Sequence, residues 1–171
     1  MPPGRAGTGE VSLTRFAVPT DSLPFWRRRL AEAGAPVSER TVLGATEIVS
    51  ADGDGFAFSL GEAPADPRPG WATPAVSPDR AVRGFSGVAL TLSDGAATTE
   101  ILTGLFGYRV AGTEGAVTRL EQPGVPSGSV DVVVRRDLPV ARSGAGRVHH
   151  VAFRVADRAV QAKVRAEVAE R

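Results

Sequence analysis

Apolar and polar residues alternate through Val11-Ser12-Leu13-Thr14-Arg15-Phe16-Ala17-Val18, with one shift of phase, and that period of two predicts a strand stopped by Pro19. Thr20 or Asp21 is placed to cap a helix running to about Ala33, because a short side-chain oxygen can accept from an otherwise unpaired backbone N–H. Phe25, Trp26, Leu30 and Ala33 form that helix's apolar stripe, and Arg27, Arg28 and Arg29 fall on its wet side. Three shorter runs follow, Val37 to Leu43, Thr46 to Ser50 and Phe56 to Leu60, the last two joined by an Asp/Gly-rich hairpin signal at Asp52-Gly53-Asp54-Gly55. This stretch lacks the downstream glutamate of a calcium loop. The unit reads strand, helix, three strands.

From Ala63 to Asp79 five prolines surround Trp71 and break every period, which predicts a linker with Trp71 anchoring it against a module. The pattern then starts over. Phe85 to Leu92 is a strand, Asp94 a cap, and Ala96 to Phe106 a helix with Ile101, Leu102, Leu105 and Phe106 inward; Tyr108 to Ala111, Ala116 to Glu121 and Val130 to Arg135 are three more strands. A third copy begins with a strand at Val148, turns at Asp157 and enters a helix with Val160, Val164 and Val168 at four-residue spacing. Phe16, Leu90 and Phe153 occupy equivalent positions in the three copies, and repetition of this length defines the architecture. The expected fold is α+β, built of tandem βαβββ modules. Residues 1–62 form one module, 63–80 the Pro-rich linker, 81–137 a second module, and 138–171 the start of a further module that stops before its strand triplet.

Composition narrows the function classes. The chain has 20 basic and 19 acidic residues for a net charge of +1, with no basic stripe, so nucleic acid is not an expected partner. The absence of cysteine excludes disulfides and thiolate chemistry and suits a reducing compartment. No apolar run is long enough to span a bilayer and the N-terminus lacks a signal-peptide core, so no membrane association is expected and the reading is cytoplasmic. His149 and His150 are the only histidines. In an extended strand His150, Ala152 and Arg154 share one face and His149, Val151 and Phe153 the other, so at most one of the two histidines serves as a metal ligand there. The plain alternative is a strand-end histidine that only hydrogen-bonds.

Three stretches, Ala81 to Leu92, Val130 to Val134 and Gly144 to Val155, resemble ring-cleaving dioxygenases of hydroquinone-type substrates. That group lies within the vicinal oxygen chelate superfamily of glyoxalases, bleomycin-resistance proteins and extradiol dioxygenases. The resemblance implies four modules, of which this chain looks like the second, the third and the beginning of the fourth. It implies Fe(II) held by a histidine of module one, a histidine of module four and a glutamate of module four; His150 matches the second of these, and the other two have no counterpart. Two imidazoles and one carboxylate leave positions open on Fe(II) for substrate and dioxygen, which a single imidazole cannot arrange.

The ligand-equivalent positions in the modules present are Leu13, Ser59 and Gly87, with Asp131 the one carboxylate at a comparable strand position. Glu47 and Glu121 read as solvated, and Arg154 as either steadying an anionic ligand or pairing with an acid. The function implied is Fe(II)-dependent extradiol-type cleavage of hydroquinone- or catechol-like aromatics, incomplete and inactive as this chain alone, with no catalytic residue assigned. The alternative is a non-catalytic binding protein for a small aromatic ligand, like the bleomycin-resistance members. A bare strand edge at Val148 and the uncovered Val160, Val164 and Val168 stripe predict a homo-oligomer.

Overall fold

Strands β1 (Glu10–Val18) and β5 (Gly84–Leu92) pair antiparallel at the centre of an eight-stranded sheet. The computed structural model describes residues 2–126 and 128–170; Met1, Ser127 and Arg171 lie outside the described residues, so the outer limits expected for the first and last segments fall there too. After β1 come α1 (Leu23–Glu32), β2 (Ser38–Val42), β3 (Ala45–Ala51) and β4 (Ala57–Glu62), with β4 returning parallel to β1. After β5 come α2 (Ala96–Gly104), β6 (Arg109–Glu114), β7 (Val117–Glu121) and β8 (Ser129–Val134), with β8 parallel to β5. The order β2-β3-β4-β1-β5-β8-β7-β6 is therefore two copies of one βαβββ unit joined back to back. Alternation in the sequence predicted all eight strands, with boundaries shifted by a few residues.

Each helix covers one face of its own repeat. Trp26 and Leu30 of α1 pack on Val18, Ile48 and Leu60; Leu102 of α2 packs with Tyr108, Leu120, Val130 and Val132. Because strand side chains alternate, the residues between these, namely Arg15, Glu47, Ser59, Arg119, Ser129 and Asp131, all fall on the opposite face. That face is closed over by curvature. Leu43 and Gly44 turn the β2–β3 hairpin with φ of 51° and 74°, the positive values a two-residue hairpin turn uses. The Leu43 backbone N–H donates to Glu114 at the end of β6, so the two outermost strands of the sheet approach each other across a cup.

Local capping differs from expectation. Ser22, not Thr20 or Asp21, stands at the N-cap of α1, and no side chain caps it. Asp21 has φ 61° and turns the chain into the helix instead. Asp94 does accept from the Ala96 N–H at the start of α2.

The expected strand from Val148 to Val155 does not form. A strand exists only as part of a ladder, and β1 is already flanked by β5 and, from Thr14 onward, by β4; Val148 makes a single bridge to Val11 and the next residues are irregular. Isolated bridges from Pro3, Arg5 and Thr8 to Ala145, Arg142 and Val140 hold the preceding segment. Helix α3 (Arg158–Ala169) forms as expected, capped by Asp157 on the Val160 N–H, with Val160 and Val168 exposed. Trp71 does not anchor the proline-rich segment, being 83% exposed. Arg83 does so instead, donating to the carbonyls of Ala63 and Asp66, along with buried Val76 and Ala81.

Candidate functional site

Arg15, at the middle of β1, enters the cup and donates from Nη1 to Asp131 Oδ2 at 2.7 Å and from Nη2 to Ser129 Oγ at 2.7 Å. Arg119 on β7 approaches Asp131 from the other side, with Nε on Oδ1 at 2.7 Å and Nη2 on Oδ2 at 2.9 Å. Both oxygens of Asp131 are thereby occupied, and the residue is fully buried. Glu47 on β3 accepts at Oε2 from Arg40 Nη2 and from Ser59 Oγ, both at 2.8 Å. Three guanidiniums and two carboxylates thus make one network that joins the repeats, since Arg15, Arg40 and Glu47 come from the first and Arg119 and Asp131 from the second.

Burial alone would push the Asp131 carboxyl up, but the Arg119 hydrogen bonds and the charges of Arg15 and Arg119 outweigh it and hold the group below its usual range. Arg119 is raised, first by its hydrogen bond to Asp131 and against its own burial. Gly87 makes room for the arrangement, because a Cβ there would run into Ser129.

Above the network lies a cavity of about 820 Å³ between the repeats. Its floor includes Arg15, Glu47 and Arg119; its walls include Ala45, Ala63, Pro64, Ala111, Pro123 and Val125. Asp66 also borders it, its carboxyl lowered chiefly by hydrogen bonds from Arg68.

One sequence expectation for this face is corrected: Glu47, read as solvated, is 5% exposed and hydrogen-bonded. Asp131, the one carboxylate at a comparable strand position, is fully engaged by arginine. Glu121 is exposed as expected, though it borders the cavity. Leu13 and Ser59 are buried in β1 and β4, Ser59 donating to Glu47. The network carried a sequence signal after all: Leu13-Thr14-Arg15-Phe16 and Val117-Thr118-Arg119-Leu120 place an arginine at the same phase of two strands, and Arg119 stands opposite Asp131, the one charged residue of the valine-rich β8.

His150 lies outside the cup. It is exposed, as is His149, and the two Nδ1 atoms stand 3.1 Å apart instead of on opposite faces, because no strand enforces alternation there. Arg154 is exposed and has no ion pair with any described residue. Among the described residues no three histidine, aspartate or glutamate side chains gather in a way that could hold a metal ion. Asp131 and Glu47 are engaged by arginine, and among the described residues no carboxylate pairs with His150 and no cluster of metal-ligating side chains forms, so the described residues do not fit an Fe(II) centre of two imidazoles and a carboxylate. No described helix is long and apolar enough to cross a membrane.

No family model matches the chain. It is 32% identical over 153 residues to a Bacillus subtilis protein named "Putative ring-cleaving dioxygenase MhqE", covering 88% of this chain and 50% of that protein. It is 28% identical to the chlorohydroquinone/hydroquinone 1,2-dioxygenase of Sphingobium indicum, over 96% of this chain and 53% of the relative. The chain thus spans about half the length of the curated relatives it matches. A crystal structure titled as a putative dioxygenase from Bacillus subtilis superposes with a TM-score of 0.92 at 27% identity, over 98% of this chain and 54% of that one. Glyoxalase I from Zea mays, as its V278E mutant, shares the fold with a TM-score of 0.65 at 14% identity, over 98% of this chain and 57% of that one.

Proposed function

Because the chain belongs to the vicinal oxygen chelate superfamily, we propose that it serves ring cleavage of hydroquinone- or catechol-like aromatics and that a single chain does not by itself assemble the Fe(II) site. The observation that carries this reading is the likeness to proteins named for ring cleavage, which runs through 88% of the chain. His150 takes the metal-binding role in this reading, as the imidazole at the matching motif position, with the remaining ligands supplied from outside the described residues. The cytoplasm is the proposed compartment, in keeping with a chain that has no cysteine.

The test is anaerobic loading of the purified protein with Fe(II), followed by desalting, iron assay and measurement of hydroquinone-dependent oxygen uptake. Sub-stoichiometric iron that falls further in His150→Ala, with no oxygen uptake, is the expected result. Stoichiometric iron with turnover overturns the inactivity of the single chain, and iron retention indifferent to His150→Ala overturns the role given to that residue.

A second reading rests on a different observation, the cavity of about 820 Å³ over the arginine-carboxylate floor. Small-molecule sites are concave and combine apolar walls with polar groups that fix orientation, and this cavity sets alanine, proline and valine walls beside charged side chains, with no cluster among the described residues that could hold a metal ion. In this reading the chain binds a small aromatic in metal-free form.

A further inference from the structure

The start of β1, the end of β5 and the segment after β8 border a second cavity, of about 270 Å³, which shares no lining residue with the cup. That segment is held in place by its bridges to Arg5, Thr8 and Val11, and Gly144 passes so close to Gly4 that a Cβ would strike the Gly4 backbone. Donors outnumber acceptors here. Among the described residues the Arg142 and Ser143 side chains have no partner, and Arg147 has only an ion contact, Nη1 standing 3.4 Å from Glu10 Oε2. Glu10 is the one carboxylate on the lining, and it is committed: Oε1 accepts from the Gly7 N–H at 2.8 Å, and Oε2 is closed off from solvent. It offsets one guanidinium and leaves the other without a counter-charge. His149, also on the lining, has its Nδ1 3.1 Å from that of His150, and with this nitrogen accepting, Nε2–H is a further donor.

Charge and donor excess together select the ligand. An ammonium brought here would meet two guanidiniums and no carboxylate oxygen open to it, and a neutral amide would leave the Arg142 charge unmatched. A carboxylate accepts from the guanidinium N–H groups and supplies the missing charge. Leu90, Leu92 and Val151 add apolar wall to the same cavity, and its volume falls just under the range of drug-sized sites, about 300–1,000 Å³, so a body of only a few carbons fits. We propose that this cavity binds small aliphatic carboxylates, with the anionic head on Arg142 and Arg147 and the chain against Leu90, Leu92 and Val151. Such a site is independent of ring cleavage and of any ligand of the cup.

The experiment uses the full chain at constant ionic strength, with butyrate, butyramide and n-butylammonium followed by ligand-observed NMR and inorganic phosphate added as a competitor of butyrate. Butyrate is expected to bind saturably and at least about tenfold more tightly than the amide or the amine, the margin that charge-assisted hydrogen bonds supply. Phosphate, which has no apolar body, is expected to compete at least about tenfold less well than butyrate binds. Arg142→Glu and Ser143→Trp, both at exposed positions and checked by circular dichroism, are expected to abolish binding, and Ala111→Trp on the wall of the cup to leave it unchanged. Equal affinity for butyrate and either the amide or the amine overturns the anionic head, and phosphate that competes as well as butyrate binds overturns the apolar seat. Binding that survives either Arg142→Glu or Ser143→Trp, or that is lost in Ala111→Trp, overturns the location. No saturable binding of butyrate overturns the site itself.

Discussion

Asp131 lies among the valines of β8, where a carboxylate is costly to bury unless hydrogen bonds and opposite charges replace its water. Arg15 and Arg119 do so, and Asp131→Asn, which leaves two buried guanidiniums facing an amide, is expected to destabilise the protein by about 3–5 kcal/mol in urea denaturation. The sign of the pH dependence follows from the lowered carboxyl: its stabilising contribution is complete above the unfolded value of 3.8 and is lost as the pH falls through the lower folded value. Unfolding midpoints of the wild type should therefore drop as the pH is taken below about 4, and those of Asp131→Asn should drop less. The network was only half legible in the sequence. The sequence reading singled out Asp131 but passed over Arg15 and Arg119, whose inward phase shows once the strands are paired, and Glu47 sits next to Ile48 on a strand whose other face looks solvated until the cup closes over it, curvature being no local property of one strand.

At the scale of elements, strand alternation and helical apolar stripes were enough to find every strand and helix of the two repeats, because each apolar face has a helix to bury it. They failed between Val148 and Val155, where the same alternation exists but no neighbouring strand offers a ladder, and the expected opposition of His149 and His150 failed with it. Gly87 shows the reverse dependence, a residue whose identity matters only through its neighbour strand. Gly87→Ala should cost about 1–3 kcal/mol in thermal or chemical denaturation, since its Cβ collides with Ser129 on β8 and disturbs the Arg15 contact. Trp71→Ser, by contrast, should change stability by no more than about 0.5 kcal/mol, because the ring touches solvent on nearly all sides.

For the whole molecule, two repeats placed back to back turn one row of strand positions into a shared floor, and the ion pairs that cross between them tie the halves into one cooperative unit. Outside that unit, α3 carries Val160 and Val168 exposed. Sedimentation at increasing concentration is expected to show self-association, reduced in Val160→Glu/Val168→Glu; a monomer at all concentrations would show that the stripe needs no cover. The central claim is that the face between the repeats is a floor locked by arginine-carboxylate pairs and not an iron centre. Arginine side-chain NMR tests it directly through the Nε–H signals of Arg15 and Arg119. The account predicts two slowly exchanging signals that are untouched by paramagnetic Fe(II). Rapid exchange of both, or broadening of both by stoichiometric Fe(II), would contradict it.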